Sequence, residues 1–592
     1  MSRARKLTLG VTGIIALLVA ALAWVGVRAL SAKNHLDAAR VSLEAARSSL
    51  LDRKLDPAST AISDAGRETA AARNLTGDPV WFVLAHIPYV GDNLAVARGI
   101  AVGADDIARR VLPPALKAAR DLDPKLLRKP DGSVDLALLQ RVAPPLRTAD
   151  TVQDRVDRAV HNLPTGLLVG PVVRAQASFA DSVDKLTHAV DGAAGAVEVA
   201  PALLSGDKPR RYFALVQQTS ESRGTGGLPG GFAILEASKG HISVTRQGSN
   251  ADLYRGSVEP PPGVPLDYIT RYGILGAFED YRNVNVGPDL PVVARVVAAR
   301  WKAQGGAQVD GVITLDATAL ADILRGSGPV DLGGGQLLPP DQLEEYLAVG
   351  QYAAFADQSK RKDALGGVAA AAASRLTGAG GNSEQLLRGL VSALTTGHLH
   401  MASDDPELHP VLARTGVDDA LPAGRAPVAY PVVFNATGGK LDHFLDRSIR
   451  YEAGACSGNR RRSTITVTLT STPPPLAKLP SYVTIRQVDG VQTQSIDNQV
   501  GLSVYATRGA RLVSATLDGK ALPTNFSQPD AVLQPGYEAG LPVWLTFVEL
   551  PAGKARTLVL HLDEPTSHGR ARVPAQALSR PMTTSIDVPT CR

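Results

Sequence analysis

The chain has 592 residues, enough for several domains, with 44% hydrophobic and 20% charged residues, an ordinary globular balance that excludes a wholly disordered chain. Its 62 Lys and Arg against 57 Asp and Glu leave a net charge of +5, too small a surplus at this length to mark a nucleic-acid partner. Only two cysteines occur, Cys456 and Cys591, so a paired-cysteine zinc site is excluded as well.

At the N-terminus, Arg3, Arg5 and Lys6 precede an uncharged apolar run from Leu9 to Val27. At about 1.5 Å per residue this run nearly spans a hydrocarbon core of roughly 30 Å. It predicts a transmembrane helix over 8–30 behind a cytoplasmic tail over 1–7. The basic residues on the short side leave that tail in the cytoplasm and everything after Leu30 outside it. A cleaved signal peptide, with Ala29 to Ser31 as the cutting site, is the alternative. The expected location is the cell membrane, single-pass, with the bulk of the chain extracytoplasmic. There a disulfide between Cys456 and Cys591 is favoured over two free thiols, and closing so long a loop contributes roughly 4 to 5 kcal/mol in the chain-entropy account.

Residues 31–206 are rich in Ala, Leu, Val, Arg and Asp, and place Leu36, Ala39, Leu43 and Leu50 at helical spacing. Prolines at 79, 88, 113, 114, 124, 130, 144, 145 and 164 divide this extracytoplasmic region into several helices. A helical stalk or bundle is expected, with the apolar Trp81 to Val90 either filling its core or lying against a membrane leaflet.

Over 207–451 strands and helices interleave: strands at Tyr212 to Val216, Phe232 to Leu235 and Val309 to Leu315, helices at Asp289 to Trp301 and Ala317 to Leu324. A central α/β layered domain follows. Between its first two strands lies the main candidate site, a glycine-rich turn with Glu221 and Arg223 at its mouth. Gly224, Gly226, Gly227, Gly230 and Gly231 lift the Cβ restriction on positive φ, so backbone N–H groups can converge on an anion while Arg223 adds a forked charge. The competing reading is a glycine-rich hairpin with a surface arginine. A further helix is expected to bring Asp357 and Arg361, four residues apart, onto one face. His398, His400 and His409, with Asp404 and Asp405, have only a superficial metal look, because the segment reads as a strand followed by a helix opening.

From 452 to 592 the pattern switches to period two, most plainly over Thr464 to Thr470. Further strands at 482–488, 502–505, 512–517, 543–550 and 557–562 predict a C-terminal antiparallel β-sandwich.

The combination of Gln217-Gln218, Glu221-x-Arg223-x-x-Gly226-Gly227 and Gly230 with Val309-Asp310-Gly311-Val312 and the segment Asn435 to Tyr451 resembles a bacterial envelope family known as domain of unknown function 4012. The likeness runs over roughly 75–560 and implies one membrane helix followed by an external helical region and a mixed core. More distantly, the order of strand, Arg-bearing turn, the segment VDGVITLDATALADILRGSGPVDL and a later Asp/Arg helix is similar to the LytR, CpsA and Psr envelope transferases. That resemblance implies transfer of a glycopolymer from a polyprenyl-pyrophosphate carrier, with arginines on the pyrophosphate and acidic groups binding magnesium. It matches Arg223 to the arginine of the first Arg-bearing turn and Asp357 and Arg361 to the later Asp/Arg cluster, the expected catalytic residues, while the glycine-rich turn itself puts Glu221, Gly226, Gly227 and Gly230 around the ligand. The expected fold is α+β multidomain. The expected function is binding or transferring a polyprenyl-phosphate-linked glycopolymer of the cell envelope, with the membrane as a partner. A non-catalytic envelope scaffold is the competing class, so enzyme status stays open.

Overall fold

The computed structural model describes residues 3–591 apart from 52, 88–89, 124–125, 165, 205–208, 254–255, 326–327, 333–334, 356–357, 378–382, 457, 489, 524–532 and 568, with backbone alone at 3–19, 51, 358–360, 362–366, 383 and 488. The chain divides into two compact units: Met1–Asp123 with Gln140–Ala194, and Pro124–Leu139 with Gly195–Arg592.

The first unit is helical. It is built from α1 (Arg3–Leu51), α2 (Leu55–Leu75), α3 (Pro79–Leu84), α4 (Gly91–Asp106), α5 (Leu112–Asp121) and the greater parts of α6 (Leu136–His161) and α7 (Gly170–Leu204). Helices α1 and α2 form an antiparallel hairpin along an alanine seam. Val25, Ala32, Ala39 and Ala46 recur every seventh residue on α1, and Ala58, Ala65 and Ala72 do so on α2, all of them buried. Ala32 shares a cluster with Ala72, and Ala46 one with Ala58. A seven-residue repeat keeps one seam facing the partner helix, and side chains this small let the two backbones approach closely.

The expected transmembrane helix is corrected: no helix among the described residues is long and apolar enough to cross a membrane. Residues 8–30 are instead the first part of the 49-residue α1, which runs without a break into the alanine seam. At the described end of the apolar run Val25 is buried among Trp81, Leu84 and Leu94, whereas Leu22, Trp24 and Val27 are exposed. One residue past that run, Arg28 pairs with Asp78 at 2.7 Å and donates to the Leu75 carbonyl. Val25 thus serves a protein core, a use that hydropathy alone does not distinguish from a lipid contact. Trp81, fully buried, donates its indole N–H to the Leu94 carbonyl, so that apolar segment contributes its tryptophan to the helical core.

The second unit is α+β with several sheets. Strands β1 (Arg210–Arg223), β2 (Gly226–Ser238), β3 (His241–Ser249) and β4 (Gly311–Asp316) join Leu399–Ala402 in a five-stranded sheet of order β3-β2-β1-β4 and then Leu399–Ala402. Strands β1 and β2 are antiparallel, whereas β1 and β4 are parallel, with Gln217 opposite Asp316. Both faces are covered: Phe213 and Leu215 pack towards the helix Leu290–Ala303, and Ala214 with Leu315 towards Ala317–Leu324. Burial on both sides explains why Tyr212 to Val216 reads as a continuous apolar run. Asp316 caps Ala317–Leu324 by accepting from the Ala319 N–H.

Ten of the remaining strands build a sandwich, while Val330–Asp331 with Leu337–Leu338, and Ile485–Val488 with Val491–Gln494, form two-stranded sheets of their own, so the strand expected at 482–488 lies outside the sandwich sheets. One sheet carries Lys520–Ala521, Arg511–Leu517, Ala555–Pro565, Arg460–Ser471, Leu445–Ala453 and Met582–Asp587; the other carries Gln534–Glu538, Leu541–Leu550, Asn498–Ala506 and Ala429–Asn435. Their inner faces share one core, with Ile465, Val467 and Leu469 against Val500, Leu502 and Val504. The expected all-antiparallel pairing has one exception, since the last strand, Met582–Asp587, runs parallel to Leu445–Ala453. Cys456 and Cys591, 135 residues apart, are joined in a disulfide that ties the C-terminal tail to the start of the sandwich.

Candidate functional site

Strand β1 does not stop where its apolar run stops. It continues through Gln217 to Arg223 past two irregularities in its pairing with β2, and its polar residues Thr219, Ser220, Glu221, Ser222 and Arg223 are all buried. Because β1 and β4 are parallel, their carboxyl ends emerge on the same edge of the sheet, the position where α/β sheets place ligands. The polar run is held by the turn Leu441–Phe444. Asp442 accepts from the Ser222 N–H at 2.8 Å and its hydroxyl at 2.6 Å, from Asn435 at 3.0 Å and from Asn498 at 2.7 Å. Burial pushes the Asp442 carboxyl above the usual range, against the pull of those donors.

Next to this anchor, the ammonium of Lys440 donates to Glu221, and Arg223 lies 3.9 Å from the other Glu221 oxygen. The three side chains are 5%, 10% and 9% exposed, so one carboxylate is shared by two cations inside the protein. Burial disfavours the Lys440 charge, yet the Glu221 carboxylate more than offsets it and holds the ammonium above the ordinary lysine range. Burial lowers the Arg223 pKa, with Glu221 and Asp442 opposing. The Arg223 guanidinium donates to the Arg282 carbonyl at 3.1 Å, to Asn283 Oδ1 at 3.2 Å and to its neighbour Ser222's carbonyl at 2.8 Å. It is packed into the fold, not presented on a loop.

The glycine-rich turn is closed as well. A Cβ on Gly227 would stand 2.3 Å from the Gln218 backbone, and one on Gly224 would stand 2.3 Å from Gly287. Gly226 has φ of +131° and sits against Gln217. These glycines permit close backbone approach; only Gly230, exposed and with nothing nearer than 3.8 Å, faces open space. Asn285 donates to the Gly227 carbonyl at 2.8 Å and Gln576 to the Arg223 carbonyl at 2.7 Å. The expected backbone nest around Gly226, Gly227 and Gly230 is therefore corrected to a hairpin wedged against its neighbours.

Outside this floor lies a cation and tyrosine face. The rings of Tyr352 and Tyr482 stack at 4.8 Å with 19° between their planes. Lys440 lies 5.7 and 5.4 Å from the two ring centroids, and Arg361 lies 5.0 and 5.3 Å from them. Tyr482 is 46% exposed. Arg361 is half-buried and makes no ion pair among the described residues. Arg282, held by Asp280 at the rim, is close enough to Glu221 and Tyr482 for both to raise its pKa further. Geometry thus links Arg223 to Arg361 through Glu221, Lys440 and the two rings. The expected single helix carrying Asp357 and Arg361 is corrected: the chain turns extended at Phe355, and a new helix starts at Gln358. Asp357 itself lies outside the described residues.

The histidines do other work. His398 Nδ1 stands 2.6 Å from Asp316 Oδ2, and although burial disfavours its charge, that carboxylate raises its pKa overall. His400 Nε2 meets the Gly397 carbonyl at 2.8 Å, and Asp404 is engaged by Arg295. That Arg295–Asp404 pair borders a cavity of about 320 Å³ at the opposite end of β4.

Sequence reasoning missed Lys440, Asp442, Tyr352 and Tyr482. The first two lie in the Asn435 to Tyr451 segment that carries the family resemblance, so a signal for them was present. The tyrosines had none beyond their type.

Residues 207–352 match the family model described as Protein of unknown function (DUF4012). The match includes Glu221, Arg223 and Tyr352 and stops short of Arg361, Lys440 and Tyr482. No curated protein and no solved structure matches the chain.

Proposed function

We propose that the chain is an extracytoplasmic protein of the cell envelope that binds a phosphate-bearing glycan precursor, of the polyprenyl-phosphate-linked kind, on the Tyr352–Tyr482 face. The observation that carries this reading is Arg361 lying over a stacked tyrosine pair beside Lys440, half-buried and without an ion-pair partner among the described residues. A guanidinium in that position has forked donors to offer a phosphate, and the exposed tyrosine ring beside it offers a flat apolar surface to a sugar. The disulfide supports an oxidising compartment. Binding is favoured over transfer because the donors of Arg223 are directed to carbonyl groups and the Lys440 charge is taken up by Glu221.

The test is calorimetric titration of the purified chain with inorganic pyrophosphate and with a short-chain polyprenyl pyrophosphate. Both should bind the parent, and Arg361→Ala should weaken each by about ten-fold, the loss of one charge-assisted contact. Equal affinity in parent and variant, or no binding by the parent, would overturn the assignment. Release of the carrier by the parent would restore transfer chemistry.

A further inference from the structure

Helices α6 and α7 meet along a seam that carries chemistry the tyrosine face does not use. On α6, Asp150, Gln153, Asp154, Asp157 and His161 recur at spacings of three and four, which places them along one side of the helix. On α7, Asp184, Thr187 and Asp191 repeat the same spacing. Asp157, His161 and Asp184 each offer one ligand atom, and these atoms all lie within 4.8 Å of one another. Their side chains are 17%, 18% and 27% exposed, shielded but open to a small ion.

The orientation of His161 matters. Its Nδ1 lies 2.9 Å from the Asp157 carbonyl, so an N–H there donates to the backbone and leaves the lone pair on Nε2. Such a bond fixes the tautomer in metal-ligating histidines. Nε2 then stands 3.3 Å from Asp184 Oδ1. In that neutral tautomer a lone pair faces a carboxylate oxygen, a repulsive contact that either a proton on Nε2 or a metal ion between the two relieves. Two ligands bonded at about 2.0–2.1 Å to one tetrahedral ion stand roughly 3.3 Å apart.

A second observation comes from Gln153, which is fully buried. Its amide nitrogen donates across the seam to the Val183 carbonyl at 3.3 Å and to Thr187 Oγ1 at 2.9 Å, on either side of Asp184. Its Oε1 has no hydrogen-bond partner among the described residues. A buried carbonyl oxygen left in this way costs free energy unless something supplies a positive charge. The neighbouring Asp154 adds negative potential on the same side of α6.

We propose that Asp157, His161 and Asp184, one turn along α6 from the buried Gln153, form a site for one first-row divalent cation of the zinc class that staples α6 to α7. An imidazole with carboxylates suits zinc better than magnesium or calcium, which prefer all-oxygen shells.

The experiment uses the full chain, free of affinity tags and stripped with a chelator, titrated with zinc chloride and melted with and without the ion. One zinc should bind per chain and raise the unfolding temperature. His161→Ala and the nearly isosteric Asp184→Asn should each weaken zinc at least about ten-fold, and cobalt substituted in the parent should give visible bands that both variants lose. Magnesium should neither bind there nor displace zinc. Zinc bound equally well by parent and both variants, or not bound at all by the folded parent, overturns the site. Should His161→Ala fail to fold, Asp184→Asn decides alone, because it keeps the shape of the side chain and removes only its charge.

Discussion

Two of the buried ion pairs in the second unit differ in what surrounds them. Arg461 and Glu564 are both 0% exposed at the side chain and meet at 3.1 Å. Glu564 also accepts from Tyr451 at 2.7 Å and Thr507 at 2.8 Å, while Arg461 donates to the Pro589 carbonyl at 2.6 Å and lies within 3.9 Å of both disulfide sulfurs. Every contact of that pair is to the sandwich or its stapled tail. Lys440 and Glu221 are nearly as buried, yet one side of Lys440 faces aromatic rings that reach solvent and carry a second cation. The difference separates a charge pair enclosed by the sandwich from one that lies beneath the proposed binding face.

The comparison breaks first at the enclosed pair. Arg461→Met should strand the Glu564 carboxylate and lower stability by about 3–5 kcal/mol, read from denaturant unfolding, while pyrophosphate affinity of the folded protein stays unchanged. Lys440→Met should act on both properties. It should cost about 3 kcal/mol, less than the first change because Arg223 remains 3.9 Å from Glu221, and it should weaken pyrophosphate as well. If Lys440→Met reduced stability alone, both pairs would be structural and the distinction would be lost.

A third buried carboxylate sharpens the contrast, because its hydrogen-bond partners are neutral. Glu538 accepts from the hydroxyls of Tyr272 and Tyr505. Burial raises its pKa from 4.5 to about 7, with those phenols and Arg271 opposing. Between these two values the folded chain holds one proton more than the unfolded chain, so this group's contribution falls as pH rises from about 4.5 to about 7 and is lost above that. Glu538→Gln should flatten that slope, a change on the order of 1 to 3 kcal/mol across the window. Unfolding midpoints at a series of pH values check it, and an unaltered slope would show that Glu538 ionises as an ordinary surface carboxylate does.

Much of this arrangement was legible in the residues and part of it could not be. The alternation over Thr464 to Thr470 encodes Arg460–Ser471 locally, since one face of a strand is buried and the other is not. The helix Ala317–Leu324 follows its cap residue Asp316 as the pattern requires. Strand β1 was shortened in the reading because Gln217 to Arg223 are polar, and polar runs ordinarily mark loops. Here they are buried, and their partners come from far along the chain: Lys440 is 219 residues from Glu221, and Asp442 is 220 from Ser222. No local period carries such a pairing. The alanine seam of α1 and α2 shows the converse case, where the heptad is written plainly but was masked by the apolar run before it.

Arg361→Ala is the smallest change in stability and the most informative about function. The side chain is half-buried on two rings and makes no ion pair among the described residues. A cation at such a position contributes about 0.5–1 kcal/mol through the ring faces, so the unfolding midpoint should move little. If Arg361 is instead a structural member of the Lys440 cluster, its removal should destabilise the fold as Lys440→Met does and leave ligand affinity per folded molecule unchanged. Measuring stability and pyrophosphate affinity on the same preparation separates the two cases, because a binding residue moves the second quantity and a packing residue the first. Arg361→Lys adds the finer distinction: it keeps the charge over the tyrosines but removes the fork, so partial recovery would mean that charge alone holds the phosphate, and no recovery would mean that paired donors do.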